Sequence, residues 1–133
     1  MTHKSKKILS EISPGELLDK ISILEIKLEK VKDKNGLEEI KKEHKILKEI
    51  QTSSIDITGK IKDLFQSLKN INIKLWNIED KLRICEKNKN FGQEFIDLAR
   101  NVYLNNDKRA KIKSEINKKL GSNIKEIKQY VEY

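Results

Sequence analysis

From Ile57 to Cys85 the chain sets an apolar residue at alternating steps of four and three: Ile57, Ile61, Leu64, Leu68, Ile71, Leu75, Ile78, Leu82 and Cys85. That period belongs to an α-helix and to no strand, because a helix brings a face round every ~3.6 residues and a strand every two. A helix from Lys60 to Lys87 is about 42 Å long at 1.5 Å per residue. A compact chain of this size is roughly 36 Å across. The pattern therefore predicts an elongated molecule.

The same periodicity runs through the rest of the sequence in shorter pieces. Ser13-Pro14-Gly15-Glu16 reads as a capping box with proline at the first helical position. Leu17, Ile21, Leu24, Leu28 and Val31 follow as a heptad seam. Asn35-Gly36 is expected to end this helix. A second helix is expected from about Leu37 to Gln51, with Leu37, Ile40, Leu47 and Ile50 on its apolar face and His44 in line. The short connection makes it antiparallel to the first. Asn90-Phe91-Gly92-Gln93 reads as the cap of a fourth helix that buries Phe95, Leu98, Ala99 and Val102. Asn105-Asn106-Asp107 reads as a turn and a new cap. A fifth helix then carries Ala110, Ile112, Ile116 and Leu120 as far as Gly121. Ser122 to Tyr133 fits either a short helix or an extended docking strand.

The expected fold class is all-α. It is one domain, an elongated antiparallel helical bundle or coiled coil of three longer helices with two short C-terminal helices. Residues 1–12 are expected to be a loose N-terminus and 122–133 a tail. A charged fraction of 38% against 36% hydrophobic suits amphipathic helices, and regularly spaced Ile and Leu argue against disorder. One cysteine excludes an intrachain disulfide. The N-terminus lacks the apolar stretch of a secretory signal, and no segment approaches the ~20 apolar residues of a membrane span. A cytoplasmic location is expected.

Several helices carry two apolar faces. At about 100° per residue, Ile23 and Ile26 fall opposite the first seam. Phe65, Ile73, Trp76 and Ile84 lie off the third. Either the C-terminal helices cover these faces or a second copy does. The expected partner is thus a second chain, docked through Ile23, Ile26, Ile73, Trp76 and Ile84 as a homodimer.

Two polar clusters stand out as candidate sites. Trp76, Glu79, Asp80, Arg83 and Glu86 hold an i,i+4 ion pair beside a tryptophan. The plain reading is a solvated ion-pair face. The functional one is a small-anion or nucleotide-sugar-binding site, or an enzyme in which Arg83 binds the anion and a carboxylate acts as acid or base, because the guanidinium fork grips anions as lysine cannot. A second cluster, around Arg100, Asn101, Tyr103, Asn106, Asp107, Lys108 and Arg109, surrounds the expected turn. The candidate ligand-binding set is Trp76, Glu79, Asp80, Arg83, Arg100, Tyr103, Asn106 and Arg109. As a site, these side chains should converge between the third, fourth and fifth helices.

A net charge of +8 raises nucleic acid as a ligand. The last two helices can be read as a helix-turn-helix with Lys108, Arg109, Lys111 and Lys113 on the second. Against it, the turn lacks a central glycine and lysines lie on several sides. No metal site is expected. The Glu-x-x-His of a di-iron bundle is absent, since Lys41 stands three residues before His44 and His3 lies in the terminus. Glu16-x-x-Asp19 is the nearest fragment of a Mg²⁺ set, and Glu16 reads as a cap. Cys85 continues the seam as a small hydrophobe. No cofactor motif occurs. The residues alone favour a non-enzymatic helical interaction or scaffold protein.

Two blocks, ISPGELLDKISILEIKLEKVKD and LWNIEDKLRICEKNKNFGQEFIDLARNVYLNNDKRAKIKSEINKKLGS, resemble a small family of bacterial and phage helical proteins known as a domain of unknown function. The resemblance runs from Ile12 to about Ser122 and is looser between Glu38 and Leu75. It implies a stand-alone helical domain, sometimes encoded near surface-glycan genes. It carries over no catalytic residue.

Overall fold

Ser13 Oγ accepts the amide of Glu16 at 3.2 Å, and Pro14 occupies the first helical position. Helix α1 (Pro14–Lys30) therefore starts where the capping chemistry places it. In this computed structural model, which describes residues 5–133, three more helices follow: α2 (Lys34–Ser54), α3 (Gly59–Lys87) and α4 (Gln93–Lys119). The described residues contain no strand. No helix is long and apolar enough to cross a membrane. His3 lies outside the described residues.

The first boundary differs from the sequence reading. Asn35-Gly36 does not end α1. The helix stops at Val31, and Asp33 caps α2 by accepting the Gly36 amide at 2.7 Å. An aspartate cap outweighs the helix-ending tendency of Asn-Gly, which lies inside the first turn of α2.

The larger correction concerns the C-terminal half. The expected fourth and fifth helices are one continuous helix, α4, and there is no turn at Asn105-Asn106-Asp107. Asn and Asp each cost a helix only up to roughly 0.7 kcal/mol relative to Ala. Their side chains also find partners here. Asn105 is buried and donates Nδ2 to the Asn101 carbonyl at 2.7 Å. Asn106 Oδ1 accepts from Arg109 Nη1 at 3.5 Å, and Asp107 accepts the Tyr133 hydroxyl. Asp107 caps nothing, and the helix-turn-helix geometry falls with the turn.

The coiled-coil arrangement is not adopted either. A coiled coil buries one seam per helix pair. Helix α1 instead buries residues on opposite faces: Leu17, Ile21 and Leu24 on its seam, Leu18, Asp19, Ser22 and Ile26 elsewhere. It is the central helix, touched by all three others. Helices α3 and α4 form an antiparallel hairpin through residues 88–92. Gly15 meets Asn117 and Asp19 meets Arg109, so α1 runs antiparallel to α4 and along α3. The core joins Leu17, Leu18 and Ile21 to Ile55, Ile61, Leu64, Leu68 and Ile116. Helix α2 leans on α1, where His44 Nε2 stands 3.5 Å from Glu25.

The tail is extended. Gly121, at φ +64°, supplies the left-handed residue that reverses the chain. The segment then returns along α4. Ser122 donates its amide to the Asn117 carbonyl at 2.9 Å, Glu126 reaches Lys113 at 3.5 Å, and the Tyr133 ring stands edge-on to Tyr103.

Gly15 is a point of close approach between α1 and α4. Its amide donates to Asn117 Oδ1 at 2.7 Å, and an added Cβ would lie 2.7 Å from the Lys113 carbonyl oxygen. Gly15→Ala is expected to destabilise the fold by about 1–3 kcal/mol, as overpacking does. Chemical denaturation followed by circular dichroism measures this, and an unchanged midpoint would contradict the contact.

Candidate functional site

Asp19 sits on α1 with its side chain 2% exposed. A buried carboxylate is stable only when paired and fully hydrogen-bonded. Arg109 of α4 donates Nε to Oδ1 at 3.0 Å and Nη2 to Oδ2, a two-pronged grip. Asn72 of α3 donates Nδ2 to the same Oδ1 at 2.9 Å and to Ser22 Oγ at 2.8 Å. The Ser22 hydroxyl donates to the Asp19 carbonyl at 2.8 Å. Lys113 donates to Glu16 at 2.8 Å and stands 3.8 Å from Asp19 Oδ2. Three helices thus converge on one carboxylate.

The cations respond to this setting. The hydrogen bond to Asp19 raises the Arg109 pKa, against burial, with the charges of Asp19, Glu16 and Glu126 adding to it. Burial alone would lower the Lys113 pKa. The hydrogen bond to Glu16 and the charges of Asp19, Glu16 and Glu126 outweigh it and leave the value above 10.5.

A cleft of about 570 Å³ opens beside this network. It is lined by Ile23 and Ile26 of α1, by Asn72, Leu75, Trp76, Glu79, Asp80 and Arg83 of α3, and by Asn106 and Arg109 of α4. Residues 72, 76, 79 and 83 recur at three- and four-residue steps and share one face of α3. Of the eight candidate ligand-binding residues, Trp76, Glu79, Asp80, Arg83, Asn106 and Arg109 meet here. Arg100 does not. It lies nine residues before Arg109 on α4, about two and a half turns away and hence on the far side. Tyr103 lines a neighbouring cavity with Tyr130, Val131 and Tyr133, which shares Asn106 with the cleft.

Within the cleft the charges are mostly spoken for. Arg83 donates Nη1 to the Glu79 carboxylate and, at 3.1 Å, to the Glu79 carbonyl. Asp80 has no ion-pair partner among the described residues. Cys85 is buried elsewhere on α3, and His44 belongs to α2. The four residues considered for nucleic acid do not share an outward face. Lys108 and Lys111 are exposed, while Arg109 and Lys113 turn inward to Asp19 and Glu16.

Sequence reasoning misses Ser22 and Asn72, and reads Asp19 only as a fragment of a Mg²⁺ set. A signal was present: each is a polar residue set among apolar neighbours, Asp19 after Leu17-Leu18, Ser22 between Ile21 and Ile23, Asn72 between Ile71 and Ile73.

Asp19→Asn removes the buried charge beside two half-buried cations. It is expected to cost about 3–5 kcal/mol, the usual result of breaking a buried pair from one side. Urea unfolding measures it, and a loss below 1 kcal/mol would show, by the same principle, that the network is not buried in solution. Lys113 has a raised pKa, so its contribution is full below 10.5 and is lost as pH climbs through the folded value. Melting temperature should therefore fall more steeply above that pH in the native chain than in Lys113→Met. Parallel alkaline profiles would refute this.

No curated protein and no solved structure significantly matches the chain. From residue 8 to residue 132 the sequence matches DUF6165, a family of unknown function, and the chain belongs to that family.

Proposed function

We propose that the domain is a non-enzymatic binding module whose Trp76 cleft takes a small, neutral, hydroxyl-rich ligand such as a sugar unit. The observation that carries this reading is the meeting of Trp76, Glu79, Asp80 and Asn106 in one cleft over a hydrogen-bonded Asp19–Arg109–Asn72 base. Ligand pockets combine an apolar wall with a few fixed polar groups. Here Ile23, Leu75 and the indole suit the C–H face of a sugar ring, and the amides and carboxylates suit its hydroxyls.

Charge favours a neutral ligand over an anion. Arg109 is matched by Asp19 and Arg83 by Glu79, which leaves the Asp80 carboxylate. Adjacent helical positions diverge by about 100°, so Glu79 and Asp80 do not form a facing acid–base pair. That supports binding without catalysis.

Trp76 is the sole tryptophan, so intrinsic fluorescence reports directly on the cleft. Titration with neutral mono- and oligosaccharides, sugar phosphates and nucleotide sugars is the test. A saturable change with a neutral sugar, lost in Asp80→Ala and Asn106→Ala, is the expected result. A response confined to the anionic compounds would replace this reading with an anion site at Arg83. No response to any compound would end it.

A second copy is the other reading, carried by the exposure of Ile84, with Phe91 and Ile96 also exposed near that end of the hairpin. Ile26 is 1% exposed, and Ile23 and Trp76 line the cleft, so a dimer would rest on Ile73, Ile84 and this end. Light scattering decides it. A dimer split by Ile84→Asp supports the reading, and a monomer across the working concentration range rejects it.

A further inference from the structure

Where the tail folds back on α4 lies a third, smaller cavity of about 210 Å³. Lys111, Lys113, Lys118, Lys125 and Lys128 line it, against the single carboxylate of Glu126. Lys113 is engaged by Glu16 and Glu126, and Lys128 lies 3.8 Å from Glu126. Lys111, Lys118 and Lys125 have no ion-pair partner among the described residues. Like charges held together repel, and an anion among them relieves that.

Lysines alone would be a solvated patch. Asn117 sets this cavity apart. It is 6% exposed and lines the cavity, and its Oδ1 accepts the Gly15 amide at 2.7 Å. That bond fixes which end of the amide is which. Nδ2 has no hydrogen-bond partner among the described residues and stays accessible, a free donor at the cavity wall. Ser13 Oγ accepts from Glu16 and keeps its own proton to donate. The α1 amides are not the attraction, since Asn117 and Ser13 already bind those of Gly15 and Glu16.

We infer that this lysine cavity binds a phosphate group, with Asn117 Nδ2 and the ammonium groups of Lys111, Lys118 and Lys125 as donors. The cavity is smaller than the ~300 Å³ at which sites for whole organic ligands begin, so it suits one anionic group rather than a large molecule. Lys125 belongs to the tail, so an anion held there also ties the tail to α4.

Calorimetric titration of the full chain at fixed ionic strength tests this, with inorganic phosphate, pyrophosphate and a small phosphomonoester as probes. Fixed ionic strength removes general screening as an explanation. One-site binding is expected, weakened about tenfold or more in the Lys118→Gln, Lys125→Gln double variant, since each charge-assisted bond is worth a kilocalorie or more. A preference for the phosphomonoester over free phosphate would mark a ligand with an organic part. Asn117→Asp keeps an acceptor for the Gly15 amide but removes the free donor, so it should abolish binding while the chain still melts cooperatively. If that variant fails to fold, the lysine pair decides alone. Absent saturation with all three probes, or unchanged affinity in the lysine variant, overturns the inference. So does a DNA duplex that binds and that phosphate fails to displace, because the lysines would then serve nucleic acid.

Discussion

The Asp19 carboxylate is the point on which three helices agree. A core of Leu and Ile permits many arrangements, because one apolar contact is much like another. A buried carboxylate does not. If α1 slid by one turn along the hairpin, Asp19 would leave Arg109 and Asn72 and lie against hydrocarbon. The network therefore selects the register of α1, and the apolar residues around it supply most of the burial. The Gly15 contact works alongside it, since only a residue without Cβ lets α1 approach the α4 backbone so closely.

The same carboxylate shapes what the cleft can do. Arg109 looks available for an anion when read along the sequence, yet Asp19 occupies two faces of its fork. Arg83 turns to Glu79 one turn earlier on its own helix. The cleft then offers hydrogen bonds and an aromatic wall more than charge. Uncompensated positive charge lies elsewhere, where the tail returns along α4. The chain so divides into a nearly neutral concave surface and a small basic one.

Much of the architecture was legible because it depends on local rules. The Ser13 cap, the length of α3 and the buried Cys85 follow from capping preference and helical period. The Trp76, Glu79, Asp80 and Arg83 face follows from the same period. What escaped depends on partners distant in sequence. Asn105-Asn106-Asp107 has the composition of a turn, and nothing nearby says that Arg109 and Tyr133 will satisfy those side chains inside a helix. Asp33 was passed over because Asn35-Gly36 looked like a stop, and two opposing signals three residues apart are hard to rank. The central place of α1 was also hidden. Its apolar second face was visible, while the polar residues lying on that face gained meaning only once Asn72 and Arg109 were beside them.

The span of those contacts has a consequence for how the chain is made. Helix α1 forms among the first thirty residues, yet its partners lie 53, 90 and 102 positions further on. While the chain emerges, α1 and α2 can pair at once, but Asp19 and Ser22 stay in contact with water until α4 has left the ribosome. Long-range contacts of this kind close late, because the intervening loop must first be ordered. The N-terminal hairpin is thus an open half whose polar face is completed only when α3 and α4 arrive.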